Sequence, residues 1–544
     1  MTQPDRIART RYSLWALGLA SILVLVGAGH WLQSQVHLNH DVSWFVHFSG
    51  WLVQGRALGT DIYSASLPMV WGLFMPPALL VHAGLLREPE AVRVVFWLYF
   101  IASAALVAYT LSREPAGQRA SSIGWVAAFA LVATLAPGFS FGQREHASVL
   151  FAMPYLAAAV LRLQGGTAPG GLAGWTIGVL AGIGFGLKPH FLAVPALVEA
   201  LLLVRLGWRA PFRRPESLGM GLTVLAYVAG SALLLGEYLR SAIGLTLSTY
   251  WAYDSVDSAN VLREYVDAAQ PGLYGIAIAL VTRTWTWKHT VLLLAGAGYS
   301  ASYFVQWKGF VYHGYPVLVC SCCLLGVAVG SGLARASRER RSWQKHALTA
   351  VVVLLMVPTA LATRDRVAGW YAKYDIETGP TGRFRQAAID TVERLAPGPG
   401  SYFFAFTTHP FPGFPTASYT TAEFSGRAID QPFVAAYARL DEVSDPGLRA
   451  RILHAARLQR DMVVEDLMRR PPDVVLIDSR RSRLGLNGRK FDDLDFYLED
   501  PRFRAIWANY SEHRRLRALR IFVRNRAAGP AKLAPDLTTG RDEG

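Results

Sequence analysis

The chain has 544 residues, 52% hydrophobic and 17% charged, with a formal net charge of +15. That is too apolar and too unevenly distributed for a soluble enzyme of this length. The positive charge does not indicate nucleic acid, because many of the arginines sit in short loops between apolar runs, as they do on the cytoplasmic side of membrane proteins. All three cysteines, Cys320, Cys322 and Cys323, fall in one apolar run and lack metal-site spacing, so they read as small apolar helix residues.

In chain order, the first apolar run follows Arg6, Arg9 and Arg11. It is longer than a signal-peptide core and lacks a clear small-residue cleavage site, which makes it a spanning helix. Further runs near bilayer length recur to about Thr363. Basic residues cluster in the loops around Arg113 and Arg119, around Arg205, Arg209, Arg213 and Arg214, around Arg283 and Lys288, and from Arg335 to Lys345. If Leu67–Leu86 crosses the membrane, these loops fall on the wrong side for a positive-inside protein. If it lies in the outer interface or dips in and returns, all become cytoplasmic together, and Pro68, Pro76 and Pro77 suit such a broken segment. The second arrangement is adopted because one assumption repairs four loops.

The expected helices are then 14–33, 93–111, 122–138, 147–163, 172–187, 191–206, 217–237, 270–282, 290–306, 311–330 and 347–363. These eleven crossings place the N-terminus in the cytoplasm and the C-terminal region outside, in a multi-pass membrane protein. The domain plan is a membrane domain over 1–363 with a first outer loop at 34–92, an extracytoplasmic α/β domain over 364–526, and a disordered tail at 527–544.

This topology collects the unusual polar residues on the outer face. His40 and Asp41 lie just beyond the first helix and Asp61 in the same loop. "GQREH" supplies Arg144, Glu145 and His146; "GLKPHF" supplies Lys188 and His190; "VQWKGFVYHGYP" supplies Lys308, Tyr312 and His313; "STYWAYDSVD" adds Asp254 and Asp257. Taken singly, each has an ordinary account: a cation snorkelling to headgroups, a histidine at the interface, an acid capping a helix or solvated in a loop. Together, an acid and several cations from distant segments are what a hydroxyl needs to lose its proton while a phosphate leaves. A carboxylate serves as general base, and Lys, Arg and His hold phosphate.

The opening "NHDVSWFVHFSGWLVQGRALGTDIYSASLPMVWGLFMPP" resembles the GT-C superfamily of membrane glycosyltransferases, which use polyprenyl-phosphate-linked sugars: one helix, then an acid in the first outer loop, then a proline-marked juxtamembrane segment. The lysine that family members place before the double proline is replaced by Met75, and Arg144–Glu145–His146 stand where many members carry an aspartate. The resemblance implies that Asp41 deprotonates an acceptor hydroxyl, with inversion at the donor sugar. It implies that Arg144, Lys188 and Lys308, with His190 and His313, bind the lipid phosphate, and that Glu145 orients Arg144 or ligates a metal. It further implies a polyprenyl-phosphate-sugar donor, a glycan, glycolipid or protein acceptor, and Mg²⁺ or Mn²⁺ as an optional cofactor held by Asp41 and Glu145.

Beyond Thr363 the pattern becomes mixed α/β. "GRFRQAAIDTVERLAPG" reads as an amphipathic helix, "SYFFAFTTH" and "PDVVLIDS" as buried strands, and "LRALRIFVRN" as a late edge strand. The aromatic, proline-rich segment 409–427 is a loop for carbohydrate, for the membrane domain, or for structure alone. The rival to an enzyme is a transporter or flippase of a lipid-linked sugar, whose polar residues should reach both faces rather than stop at one.

Overall fold

The computed structural model describes residues 20–254 and 257–525; the expected helix start at 14–19 and the tail at 527–544 lie outside them. Contacts divide the chain into two compact units, one formed by residues up to Gly244 together with Tyr253–Gln386, the other by Leu245–Ala252 with Ala387 onward. The division falls beyond the expected 363/364 boundary.

In the first unit, α1 (20–34) leads to α2 (His40–Val53), α3 (Met69–His82) and α4 (Glu88–Leu111). Then come α5 (Arg119–Leu135), α6 (Arg144–Leu163), α7 (Gly171–Gly186), α8 (Ala193–Leu206) and α9 (Pro215–Leu234). The short turn α10 (Gly236–Tyr238) and helices α12 (Ser258–Val281), α13 (Trp287–Gln306), α14 (Val311–Arg338) and α15 (Ser342–Tyr374) complete this unit; the short α11 (Gly244–Thr249) falls largely in the second, and α16 (Pro380–Leu395) crosses the division. Among the described residues, six helical segments are long and apolar enough to cross a membrane: α4, α6, Pro189–Leu206, α9, α14 and α15. The helices α3, α5 and α7 are apolar but shorter.

Three boundaries differ from expectation for identifiable reasons. Helix α12 begins at Ser258 rather than 270, capped by Asp257, whose carboxylate accepts from the Asn260 N–H at 2.9 Å; its first half is too polar to register as an apolar run. Helix α15 runs to Tyr374 because polar residues after 363 prolong it past the apolar stretch. Helix α6 begins at Arg144, so the charged triplet forms its first turn instead of a loop.

Contacts sort the helix ends into two groups. At one, Gln33 Nε2 donates to Gly138 O at 3.2 Å, Arg93 donates to Val36 O at 3.0 Å, and the Ile376 N–H donates to Gln35 O at 3.0 Å. Since His47 also bonds Glu88 at 3.0 Å, the segment holding α2 and α3 leaves this end after α1 and returns to it at the start of α4. At the other end the basic loops meet. Lys288 pairs with Glu114 at 2.7 Å with both side chains fully buried, Arg162 pairs with Glu216 at 2.9 Å, and Arg205 lies 4.8 Å from the Trp287 ring centre. Helix α6, with 20 residues, separates the two groups by about 30 Å.

Between them, α5 and α14 touch backbone to backbone. A Cβ on Gly124 would sit 2.0 Å from Gly326 O, so only glycine permits this approach, a packing mode favoured between helices in lipid.

The second unit holds a five-stranded sheet in the order β2-β1-β3-β5-β4. Strands β1 (Tyr402–Phe406), β2 (Glu423–Phe424) and β3 (Val474–Asp478) are parallel; β4 (Tyr510–Leu516) and β5 (Leu519–Arg524) form a hairpin whose second strand, β5, pairs antiparallel with β3. The expected edge strand, β5, is therefore internal, covered by β4. "YSEHRRL" is charged because β4 is the exposed edge, where charge blunts strand pairing. Helices α17 (Val434–Ala438), α18 (Pro446–Arg469), α19 (Asp493–Leu498) and α20 (Pro501–Trp507) complete this unit, and a core around Phe404, Phe406, Val475 and Phe503 holds it together. In the 409–427 loop, Phe414 is buried and packs on Phe424 at 5.1 Å, so this ring is committed to packing.

Candidate active site

Helix α2 is capped by Asn39, whose Oδ1 accepts from the Asp41 N–H at 2.7 Å. The same oxygen accepts from Gln143 Nε2 at 2.8 Å, and Gln143 Nε2 also donates to Asp41 Oδ2 at 2.9 Å. Asn39 Nδ2 donates to Phe139 O at 2.8 Å. Asp41 is thus oriented by an amide that is itself the N-cap residue of α6. Beside it, His40 Nε2 lies 3.6 Å from Asp41 Oδ1. Burial first, and then the Arg385 charge, push the His40 pKa down to about 3, so its ring is neutral. Arg385 itself lies 5.1 Å and 5.2 Å from the ring centres of Phe139 and Tyr374.

The next residues of α6 fan out around its first turn. Arg144 stands 5.2 Å from the Phe45 ring centre; among the described residues it has no carboxylate partner, and its Nε is buried without a hydrogen-bond acceptor. Glu145 is fully buried and holds Lys188, with Nζ donating to Oε1 at 2.6 Å. The expected pairing of Glu145 with Arg144 does not form, since neighbours on a helix point about 100° apart. Lys188 also donates to Gln306 Oε1 at 2.7 Å and lies 3.4 Å from His313 Nε2. Burial pulls the Lys188 pKa down to about 8, while Glu145 works in the opposite direction.

Around this centre, the Tyr312 ring lies 4.4 Å from His313, and Lys188 Nζ lies 5.9 Å from the Tyr312 ring centre. His190 keeps Nε2 buried and unbonded, within electrostatic reach of Lys188, Glu145 and Arg144. Lys308 is buried and pairs with Asp254; burial lowers its pKa and Asp254 opposes the shift. Lys308 acts electrostatically on His313, so it belongs to the same neighbourhood.

Two candidates stand apart. The His146 ring is fully buried among Phe96, Phe141 and Tyr315, and its Nδ1 accepts from the Gly142 N–H at 3.2 Å; it braces the turn before α6 instead of facing the cations. Asp61 closes its own loop, accepting from the Ala57 N–H at 3.0 Å. Asn39, Gln143, Gln306 and Arg385 were not singled out from the sequence, although the first three flank motifs that were; an uncharged amide carries no signal of its own.

The arrangement places one oriented carboxylate beside a positive helix N-terminus and a set of cations, a combination suited to binding an anion next to a proton acceptor. Among the described residues no three His, Cys, Asp or Glu side chains could share an ion. Glu145 Oε1 is occupied by Lys188, with Arg144 as its neighbour in sequence, and Asp41 Oδ2 by Gln143.

This geometry sits in a known architecture. The chain superimposes on ArnT from Cupriavidus metallidurans, a crystal structure bound to undecaprenyl phosphate, with a TM-score of 0.55 and 14% identity. The match covers 95% of this chain and 99% of that one. The two chains share a fold. No protein-family model matches the chain, and no curated protein matches it in sequence.

Proposed function

We propose that the chain is an inverting glycosyltransferase that moves a sugar from a polyprenyl-phosphate carrier to a hydroxyl on an envelope glycan, glycolipid or protein, at the extracytoplasmic face of a bacterial inner membrane. The observation that carries this reading is the double use of one helical turn: Gln143 holds Asp41 while Arg144 and the Glu145–Lys188 pair present the cations. The likeness to a fold crystallised with undecaprenyl phosphate supports it.

In this mechanism Asp41 accepts the proton of the acceptor hydroxyl, whose oxygen attacks the anomeric carbon from the face opposite the phosphate. The glycosidic C–O bond breaks and polyprenyl phosphate leaves with its electron pair. Arg144, the start of α6 and the Lys188 group stabilise its growing charge. Lys308 adds to the positive field, His190 and His313 offer ring nitrogens as hydrogen-bonding groups, and Tyr312 supplies an aromatic wall.

The test is a deletion strain complemented with wild type or Asp41→Asn, read by mass analysis of envelope glycans and by undecaprenyl phosphate binding to the purified chain. Asp41→Asn should still bind undecaprenyl phosphate and should lose the sugar addition. Restored addition by that variant removes Asp41 as base and favours a lipid-linked-sugar carrier.

A further inference from the structure

Lys188 has three ammonium hydrogens, and three neighbours take them: Glu145 Oε1 at 2.6 Å, Gln306 Oε1 at 2.7 Å and His313 Nε2 at 3.4 Å. Without a ligand, the cation is saturated. Glu145 is the opposite case, a fully buried carboxylate that uses Oε1 and leaves Oε2 with no partner. A half-satisfied buried carboxylate is costly, and a purely structural ion pair would be expected to fill both oxygens. Arg144, one residue earlier, keeps its guanidinium without a carboxylate partner. The two cations are therefore in different states: one open to an arriving anion, the other already holding one.

We propose that Glu145 is an internal stand-in for the lipid phosphate: it occupies Lys188 in the empty site, yields it when the donor binds, and takes it back as the product phosphate leaves. This rests on the reading of the cluster as a phosphate site. Arg144 is then the first contact for the donor and Lys188 the second, engaged only by exchanging one carboxylate oxygen for a phosphate oxygen. His313 Nε2, 3.7 Å from Glu145 Oε1, is the group left beside the displaced carboxylate. The exchange keeps a buried ammonium from ever lacking an anion. It also limits how tightly the product is held, because the resident carboxylate competes for Lys188 at every turnover. Glu145 is thus a positioning residue whose removal should tighten binding, the reverse of what loss of a ligand-holding group does.

The experiment uses the full chain in detergent with undecaprenyl phosphate as probe, at pH 6.5, below the Lys188 pKa of about 8 in the wild type. It is repeated at pH 5.5 so that the Glu145 variants, which lose the carboxylate that raises this pKa, are compared with a charged Lys188. Glu145→Gln retains the shape and an acceptor for Lys188 but removes the charge. It should bind undecaprenyl phosphate about tenfold more tightly, mainly through a slower off-rate. Glu145→Met, apolar and of similar length, is the second variant and should shift affinity in the same direction. Unchanged or weaker binding by a folded variant overturns the proposal. Failure of the wild type to bind undecaprenyl phosphate overturns the underlying phosphate-site reading instead, so the two failures are distinguishable.

Discussion

Lys288 and Glu114 offer a measurement of how firmly the basic loops are joined. Their side chains are both fully buried and meet at 2.7 Å. Lys288 also donates to Ser121 Oγ at 2.8 Å and Gln118 O at 3.3 Å, while Glu114 accepts from Ser122 and from Gln164 Nε2 at 2.9 Å. Removing one partner of a buried ion pair costs about 3–5 kcal/mol, because the other charge is left uncompensated. In Lys288→Met the carboxylate keeps two donors, which places the loss at about 3 kcal/mol, the low end of that range. At about 2 °C per kcal/mol, appropriate to a long chain, the unfolding midpoint falls by about 6 °C. Glu114→Leu should cost a similar amount, because it leaves the Lys288 ammonium buried without its carboxylate. The double variant Lys288→Met/Glu114→Leu removes both charges and should recover part of the loss, giving a coupling of about 2 kcal/mol. Thermal unfolding in dodecyl maltoside, followed by tryptophan fluorescence, measures all four proteins. Single variants as stable as wild type, or strictly additive effects, would refute the claim that this pair fastens the loops.

Two further expectations concern the anion site. Arg144→Ala should weaken undecaprenyl phosphate binding by about 10–100-fold, since charge-assisted hydrogen bonds contribute about 1.5–3 kcal/mol and 1.4 kcal/mol is tenfold; an unchanged Kd removes Arg144 from the site. Lys188 carries its charge below its lowered pKa of about 8 and loses it above. Wild-type affinity for undecaprenyl phosphate should therefore fall between pH 7 and 9, and the same titration with Lys188→Met should be flat over that interval. A flat wild-type profile would contradict the role given to the ammonium.

Much of the membrane-type architecture was legible because apolar runs and basic loops are coarse signals. Helix α6 was expected from its apolar body, and the structure brings Glu145, Lys188 and His313 from three of the polar motifs into contact. Partner choice was not legible. Arg144 and Glu145 are neighbours in sequence, yet the helical twist sends one toward Phe45 and the other toward Lys188. His146 and His313 are both buried beside aromatic rings, but His313 reaches Lys188 while His146 turns to the Gly142 N–H. The amides of Asn39, Gln143 and Gln306 are invisible to charge and hydropathy, although they hold the charged groups in position. Strand β4 was missed because its exposed, charged face hides the period-two pattern.

The start of α6 has one more consequence, for how such a protein can diversify. Because Gln143 serves the acid and Arg144 and Glu145 serve the cations, a one-residue insertion or deletion just after them in α6 would turn all three by about 100° relative to the buried body of the helix. Proton acceptance and anion capture would fail together, with neither retunable on its own from this turn. New sugars or acceptors must then be accommodated by changes elsewhere, on segments that surround this turn without sharing its helical phase.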